Sequence, residues 1–198
     1  LTIFVVVFRQ LWFMFRLRVE GREKLKKFRK TYQGGVVTVC NHVHNWDFLC
    51  ALRAVWPKHL YTPVLKENIE SKDRLLMRLC HMIPIPDTSL RGMSVFIKTV
   101  NGLLKKGKYV HFYPEGSRWP YYQPVRPFKT GGFGVAVRND VPVLPMAISY
   151  RQAKKKKAYF TLRIGDPIFH NKGLLEPDAI LDLAERSRKA VMELAGIK

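Results

Sequence analysis

Acidic residues are scarce in this chain. Asp and Glu number 15 against 35 Lys and Arg, leaving a net charge of +20. An excess of that size implies an anionic partner: nucleic acid, an acidic membrane surface or a phosphorylated substrate. Cysteine is scarcer still. Cys40, Cys50 and Cys80 are odd in number, far apart and without a Cys-x-x-Cys pair, which argues against a disulfide framework and makes a reducing compartment the default. No long uninterrupted apolar run marks the amino end. Residues 1–15 (LTIFVVVFRQLWFMF) carry Arg9 in their middle, and a helix of that length spans about 22 Å, short of the ~30 Å hydrocarbon layer. No small-residue cleavage site follows, as a signal peptide would require. Internal repeats are absent, and the one low-complexity run, Lys154–Lys157, reads as a solvated hairpin tip.

What is present suits a globular domain. The 198 residues are 47% apolar and 25% charged, which excludes intrinsic disorder and a simple coiled coil. Two readings of residues 1–15 stand side by side. One is an interfacial anchor with Trp12 and the phenylalanines in lipid and arginines at the headgroups; the other is a first helix packed on the domain. The anchor is the preferred reading, giving a membrane-associating helix over 1–20 and a domain over 21–198. After it, residues 15–19 alternate as a short strand, and 22–30 form a basic amphipathic helix with Leu25 and Phe28 on one face. Val36–Cys40 is a compact, largely β-branched run expected as a buried strand. Helices are expected over 48–55, 71–80, 92–105, 131–138 and 175–195. Strands are expected over 60–65, 109–113, 141–148 and 159–164, with 83–86 extended. Strands alternating with helices predict an α/β fold: a single domain with a largely parallel or mixed central sheet flanked by helices.

Two loops carry residues suited to chemistry. Asn41-His42-Val43-His44-Asn45-Trp46-Asp47 follows the buried strand, at the carboxyl end where α/β folds place ligands. His is suited to general acid–base work near neutral pH. On a continuous helix the five-residue offset from His42 to Asp47 is about 140°, so the two would not share a face. With His42 in the loop and Asp47 opening the helix, the carboxylate can turn back to one imidazole nitrogen, as in a catalytic triad lacking its serine. The alternative is an Asn/Asp helix cap beside a structural His. The second loop, Phe112-Tyr113-Pro114-Glu115-Gly116-Ser117-Arg118, also follows a strand. Gly116 lets backbone approach a ligand, and the Arg118 fork suits phosphate; the alternative is a turn with a surface ion pair. Gly-x-Ser-x-Gly is absent, so the implied chemistry is direct attack by a substrate hydroxyl that His42 deprotonates.

Other groupings carry less. Cys40, His42, His44 and Cys50 match no common zinc spacing. Lys129, Gly131, Gly132 and Gly134 resemble a phosphate cradle but lack a P-loop signature, and close helix packing accounts for the glycines. His59, His81, His111 and His170 read as structural or surface residues. Trp119, Tyr121 and Tyr122 are a membrane-interface belt, an acyl-chain lining or a packed loop.

Taken in order, these loops resemble the 1-acyl-glycerol-3-phosphate acyltransferase (lysophosphatidic acid acyltransferase) family of glycerolipid acyltransferases. Its Asn-His-x4-Asp block stands as Asn41-His42 to Asp47. Its Phe-Pro-Glu-Gly-Thr-Arg block stands as Tyr113 to Arg118, with Ser117 for Thr. Its Val-Pro-Val-x-Pro strand stands as Val141 to Pro145. The remaining block, usually Gly-x-Ile-x-Ile-x-Arg, is partial: His81 replaces its Gly and Asp87 its Arg, a residue that in the family helps bind the acceptor's phosphate, with Arg91 four residues on as a substitute. The resemblance covers about residues 36–150. It implies acyl transfer from acyl-CoA or acyl carrier protein to lysophosphatidic acid, giving phosphatidic acid at the cytoplasmic face of a membrane. His42 would be the base and Asp47 its partner, with Glu115, Gly116, Ser117 and Arg118 at the acceptor and neither metal nor resident cofactor. The nearest rival is a same-fold acyltransferase with another acceptor, glycerol 3-phosphate or another lysolipid. A rival of another class is a basic nucleic-acid-binding protein, for which no helix-turn-helix, zinc-finger or RNA-recognition signature stands out.

Overall fold

The structure, a computed structural model, describes Arg9 and residues 16–69, 74–86, 89–122, 124–152 and 158–197. The expected apolar helix at the amino end, the Lys154–Lys157 tip and Asp87 therefore lie outside the described residues.

The strands are β1 (Arg18–Glu20), β2 (Val36–Cys40), β3 (Leu60–Leu65), β4 (Met82–Ile85), β5 (Tyr109–Phe112), β6 (Val143–Gln152) and β7 (Ala158–Ile164). They form one sheet in the order β1-β7-β6-β2-β5-β3-β4. Every neighbouring pair is parallel except the β6–β7 hairpin. The sheet is thus mixed, in a single α/β domain. The helices are α1 (Arg22–Thr31), α2 (Asp47–Val55), α3 (Lys66–Ile69), α4 (Arg74–Leu79), α5 (Leu90–Lys105), α6 (Gly131–Arg138) and α7 (Glu176–Ala195).

β2 is central and buried at all five positions, so its side chains alternate between two cores. Val36 and Cys40 join the core under α1 and α2, with Leu25, Phe28 and Leu49. Val37 and Val39 join the other, with Val100 and Leu104 of α5, Phe133 of α6 and Leu183 of α7. Two glycines enter because nothing larger fits. A Cβ on Gly35 would lie 2.3 Å from the Leu104 carbonyl oxygen, and one on Gly132 would lie 2.9 Å from the Phe112 ring. The second clearance bears out close packing as the reason for glycine at position 132, whereas a Cβ on Gly131 would meet nothing within 4 Å and one on Gly134 only ordinary contact at 3.5 Å.

β2, β5, β3 and β4 are parallel neighbours. The segments past their carboxyl ends therefore leave from one edge of the sheet, the arrangement that gathers the two chemistry-bearing loops.

Candidate active site

The five-residue offset between His42 and Asp47 resolves as the loop-and-helix geometry requires. His42 remains in the loop after β2, and Asp47 is the first residue of α2. The Asp47 side chain folds back, placing Oδ2 3.0 Å from His42 Nδ1. The same oxygen accepts the backbone N–H groups of Val43 at 2.7 Å and His44 at 2.8 Å. A carboxylate at a helix amino terminus also faces the positive end of the helix dipole. Asp47 is buried while the His42 side chain keeps 23% of its surface. One imidazole nitrogen is thus tied to a buried carboxylate, and the ring still reaches solvent. That geometry suits a base whose conjugate acid must be stabilised and whose tautomer must be held.

Asn41 anchors the loop. Its Nδ2 donates to the Ile148 carbonyl and its Oδ1 accepts the Ile148 N–H, both at 2.8 Å. The side chain imitates one more rung of the β2–β6 ladder. Under His42 lies Tyr113, its ring stacked on the imidazole at 4.0 Å and 18°. Burial, then the Asp47 charge, push the Tyr113 phenol well up. Edge-on to Tyr113 sits His111, fully buried, with Nδ1 2.7 Å from Thr38 Oγ1. Burial and the nearby His42 lower its pKa to about 3. His111 is a structural residue as expected, but one packed into the floor of the site.

The second loop lies against the first. Trp119 N donates to the His42 carbonyl at 3.2 Å, and Tyr121 N donates to that of Val43 at 3.0 Å. Glu115 does not pair with Arg118. Its Oε2 accepts Arg126 Nε at 2.8 Å, and Arg126 also donates to Ser117 Oγ and the Ser117 carbonyl and covers the Trp119 ring. Burial raises the Glu115 carboxyl above its ordinary value against these hydrogen bonds. Arg126 is the residue sequence reading missed: it lies eleven positions on, across a Pro- and aromatic-rich loop that offers no periodicity to follow.

Gly116 takes a positive φ of 76°, and a Cβ there would meet Lys129 Nζ at 2.7 Å. Lys129 thus lies over the glycine of the second loop. Arg118 is exposed and, among the described residues, makes no side-chain hydrogen bond or ion pair. Burial, followed by the charges of Arg118 and His42, pushes the His44 imidazole down against the pull of Asp47.

Further along the edge, Arg91, Lys66 and Arg78 line a groove of about 750 Å³ with Ile83, Ile85 and Phe96; His42 is not among its walls. No metal-binding cluster occurs among the described residues, and burial pushes the Cys40 and Cys50 thiols well up. The three remaining histidines all have polar neighbours: His59 Nδ1 lies 2.9 Å from His81 Nε2, and His170 Nδ1 lies 3.7 Å from Asp140.

Comparison with known proteins shows the family of the chain. A family model described as Acyltransferase matches residues 16–149. A sheep 1-acyl-sn-glycerol-3-phosphate acyltransferase alpha is 30% identical over 167 residues, covering 79% of this chain and 56% of the relative. The 1-acyl-sn-glycerol-3-phosphate acyltransferase of Salmonella typhimurium is 27% identical over 146 residues, 72% of this chain and 57% of the relative. The chain thus spans about half the length of the curated relatives it matches. The crystal structure of the 1-acyl-sn-glycerophosphate acyltransferase PlsC from Thermotoga maritima superposes with a TM-score of 0.61 at 21% identity, covering 90% of this chain and 72% of that one.

Proposed function

The chain belongs to the acyltransferase family, and from that premise we propose that it acts as a 1-acylglycerol-3-phosphate O-acyltransferase, converting lysophosphatidic acid to phosphatidic acid with acyl-CoA or acyl carrier protein as donor. The observation that carries the reading is the His42 Nδ1–Asp47 Oδ2 contact of 3.0 Å, on a loop with a solvent-facing ring and no serine or cysteine nucleophile motif. The other ring nitrogen takes the proton from the acceptor's free hydroxyl as its oxygen attacks the thioester carbonyl. Asp47 stabilises the imidazolium so formed. The tetrahedral oxyanion collapses, the C–S bond breaks, and the departing thiolate takes the proton from the imidazolium. No covalent acyl-enzyme forms, and the reaction calls on neither a metal nor a resident cofactor.

Glu115, Gly116, Ser117 and Arg118 are assigned to the acceptor side. In this reading Glu115 acts from beneath, by fixing Arg126, and Arg118 reaches the phosphate. Residues 1–20 are proposed to associate with the membrane and 21–198 to form the acyltransferase domain, acting peripherally at the cytoplasmic face. Among the described residues no helix is long and apolar enough to cross a membrane.

The test is the full chain with radiolabelled acyl-CoA and acyl carrier protein donors and a panel of acceptors: lysophosphatidic acid, glycerol 3-phosphate, other lysolipids and monoacylglycerol. Labelled phosphatidic acid formed preferentially from lysophosphatidic acid is the expected product. Preference for glycerol 3-phosphate or another lysolipid would move the enzyme to that acceptor, consistent with Asp87 in place of the usual arginine, and would overturn the assignment.

A further inference from the structure

Asp47 uses one carboxylate oxygen three times and the other not at all. Oδ2 takes His42 Nδ1 and the N–H groups of Val43 and His44. Oδ1 is buried and has no hydrogen-bond partner. A bare carboxylate oxygen is costly there, because nothing replaces the water it gave up. A second bare group lies close by. The Tyr113 ring is stacked on His42 at 4.0 Å, and its hydroxyl is buried and likewise without a partner. After burial itself, the Asp47 charge presses most on that phenol, ahead of Cys40 and Cys50. Burial pushes both thiols well up, so they stay protonated, and Asp47 is the anion beside the hydroxyl.

The oxygen is also what this chain adds. The acyltransferase block that stands here as Tyr113 to Arg118 has Phe at its first position, and this sequence has Tyr113. A phenylalanine would stack on His42 as well, so only the hydroxyl needs a role. One donor without an acceptor and one acceptor without a donor thus share the floor of the site. We propose that Tyr113 is a positioning residue for the base: its hydroxyl donates to Asp47 Oδ1, through a small side-chain adjustment or one bridging water, and fixes the carboxylate with Oδ2 toward His42. The inference rests on the proposed function for the role of His42 and deepens it. A donor on Oδ1 draws negative charge away from Oδ2 and weakens its hold on the imidazolium. His42 then sheds its proton at a lower pH than Asp47 alone would permit, leaving more of the enzyme ready to take the acceptor's proton. The other titratable or charged groups facing this corner are His44 on the same loop, His111 of β5, and Glu115 of the second loop with Arg126 against it; Arg118 acts on His44. None of them changes in Tyr113→Phe.

That substitution keeps the ring and removes only the oxygen. Nuclear magnetic resonance of the full chain, labelled in its histidine rings, follows all six histidines, and His42 is identified by the resonance lost in His42→Ala. The His42 midpoint should rise by about half a pH unit in Tyr113→Phe relative to wild type. In an Asp47→Asn background the same substitution should leave it unmoved, since no carboxylate charge remains to be shared. The acid limb of kcat/KM should move with the midpoint, making the variant about threefold slower on the acid side.

Equal midpoints in wild type and variant, a fall, or a rise that persists in the Asp47→Asn background would each overturn the proposal. So would a urea midpoint raised by Tyr113→Phe, the result expected if the lost hydroxyl had been buried and unpaired. A wild-type chain that acylates no acceptor would sink the proposed function alone, because the titration does not use the reaction.

Discussion

Asp47 holds two things at once: an imidazole, and the backbone that presents it. The two roles separate by substitution. His42→Ala should lower turnover by ~10²–10⁴-fold, the usual cost of losing a general base, with the near-ultraviolet circular dichroism unchanged. Asp47→Asn keeps an oxygen for the Val43 and His44 N–H groups but loses the imidazolium's counter-charge, so turnover should collapse while the fold persists. Asp47→Ala strands both N–H groups and should also destabilise by about 3 kcal/mol in urea titration. A near-wild-type rate for well-folded His42→Ala would refute the mechanism. The two arginines of the second loop make a matching contrast. Arg118 is exposed and serves binding, so Arg118→Ala should raise the acceptor's KM by about 10- to 150-fold with the donor's unchanged. Arg118→Lys should rescue it in part. Arg126 holds a buried carboxylate, so Arg126→Ala should cost about 3 kcal/mol of stability and show as a lowered urea midpoint. If Arg118→Ala affects lysophosphatidic acid and monoacylglycerol equally, the residue does not read phosphate.

Among the elements, the periodic helices are where reading ahead succeeded: α5, α6 and α7 fall within two residues of expectation. β6 runs on to Gln152, past the expected end at 148, because the β6–β7 hairpin carries its antiparallel ladder through Tyr150 to Gln152. The expected helix over 71–80 is seen as α4 over Arg74–Leu79, with α3 ahead of it. Packing between elements is tested by two glycines of opposite surroundings. Gly35→Ala would drive a methyl into the carbonyl that ends α5 and should destabilise by about 1–3 kcal/mol. Gly131 has nothing within 4 Å of its would-be Cβ, so Gly131→Ala should be neutral or stabilising by up to about 1 kcal/mol. Thermal unfolding of the two variants side by side checks this, and a reversed order would show that the α5–β2 approach is not tight.

For the molecule as a whole, His111 predicts acid sensitivity. The folded chain holds it neutral down to pH about 3, whereas an unfolded histidine gains its proton near 6.5. Between those values the unfolded state binds the extra proton. Stability therefore falls as pH drops, by at most about 1.4 kcal/mol per pH unit from this group. Glu115, whose folded pKa is raised, acts in the opposite sense around and above pH 4.5 and offsets part of the loss. His111→Asn should flatten the dependence of urea-unfolding free energy between pH 6.5 and 5 relative to wild type. An unchanged slope would show that His111 is not the titrating group.

The sequence by itself determined the α/β class and the boundaries of most elements, and it put His42 and Asp47 within reach of each other while leaving a helix cap beside a structural His as the alternative. Each of these is local: hydrophobic period, β-branched runs and a five-residue offset act within one or two elements. The order of the sheet, the approach of Trp119 and Tyr121 to the His42 loop, the pairing of Glu115 with Arg126, and the stack of His111 and Tyr113 beneath His42 were decided by tertiary structure. These contacts join residues whose separation along the chain carries no period. They form because parallel strands, once paired, bring their carboxyl-end loops to one edge, and because a carboxylate buried there needs a cation from whichever segment the fold places beside it.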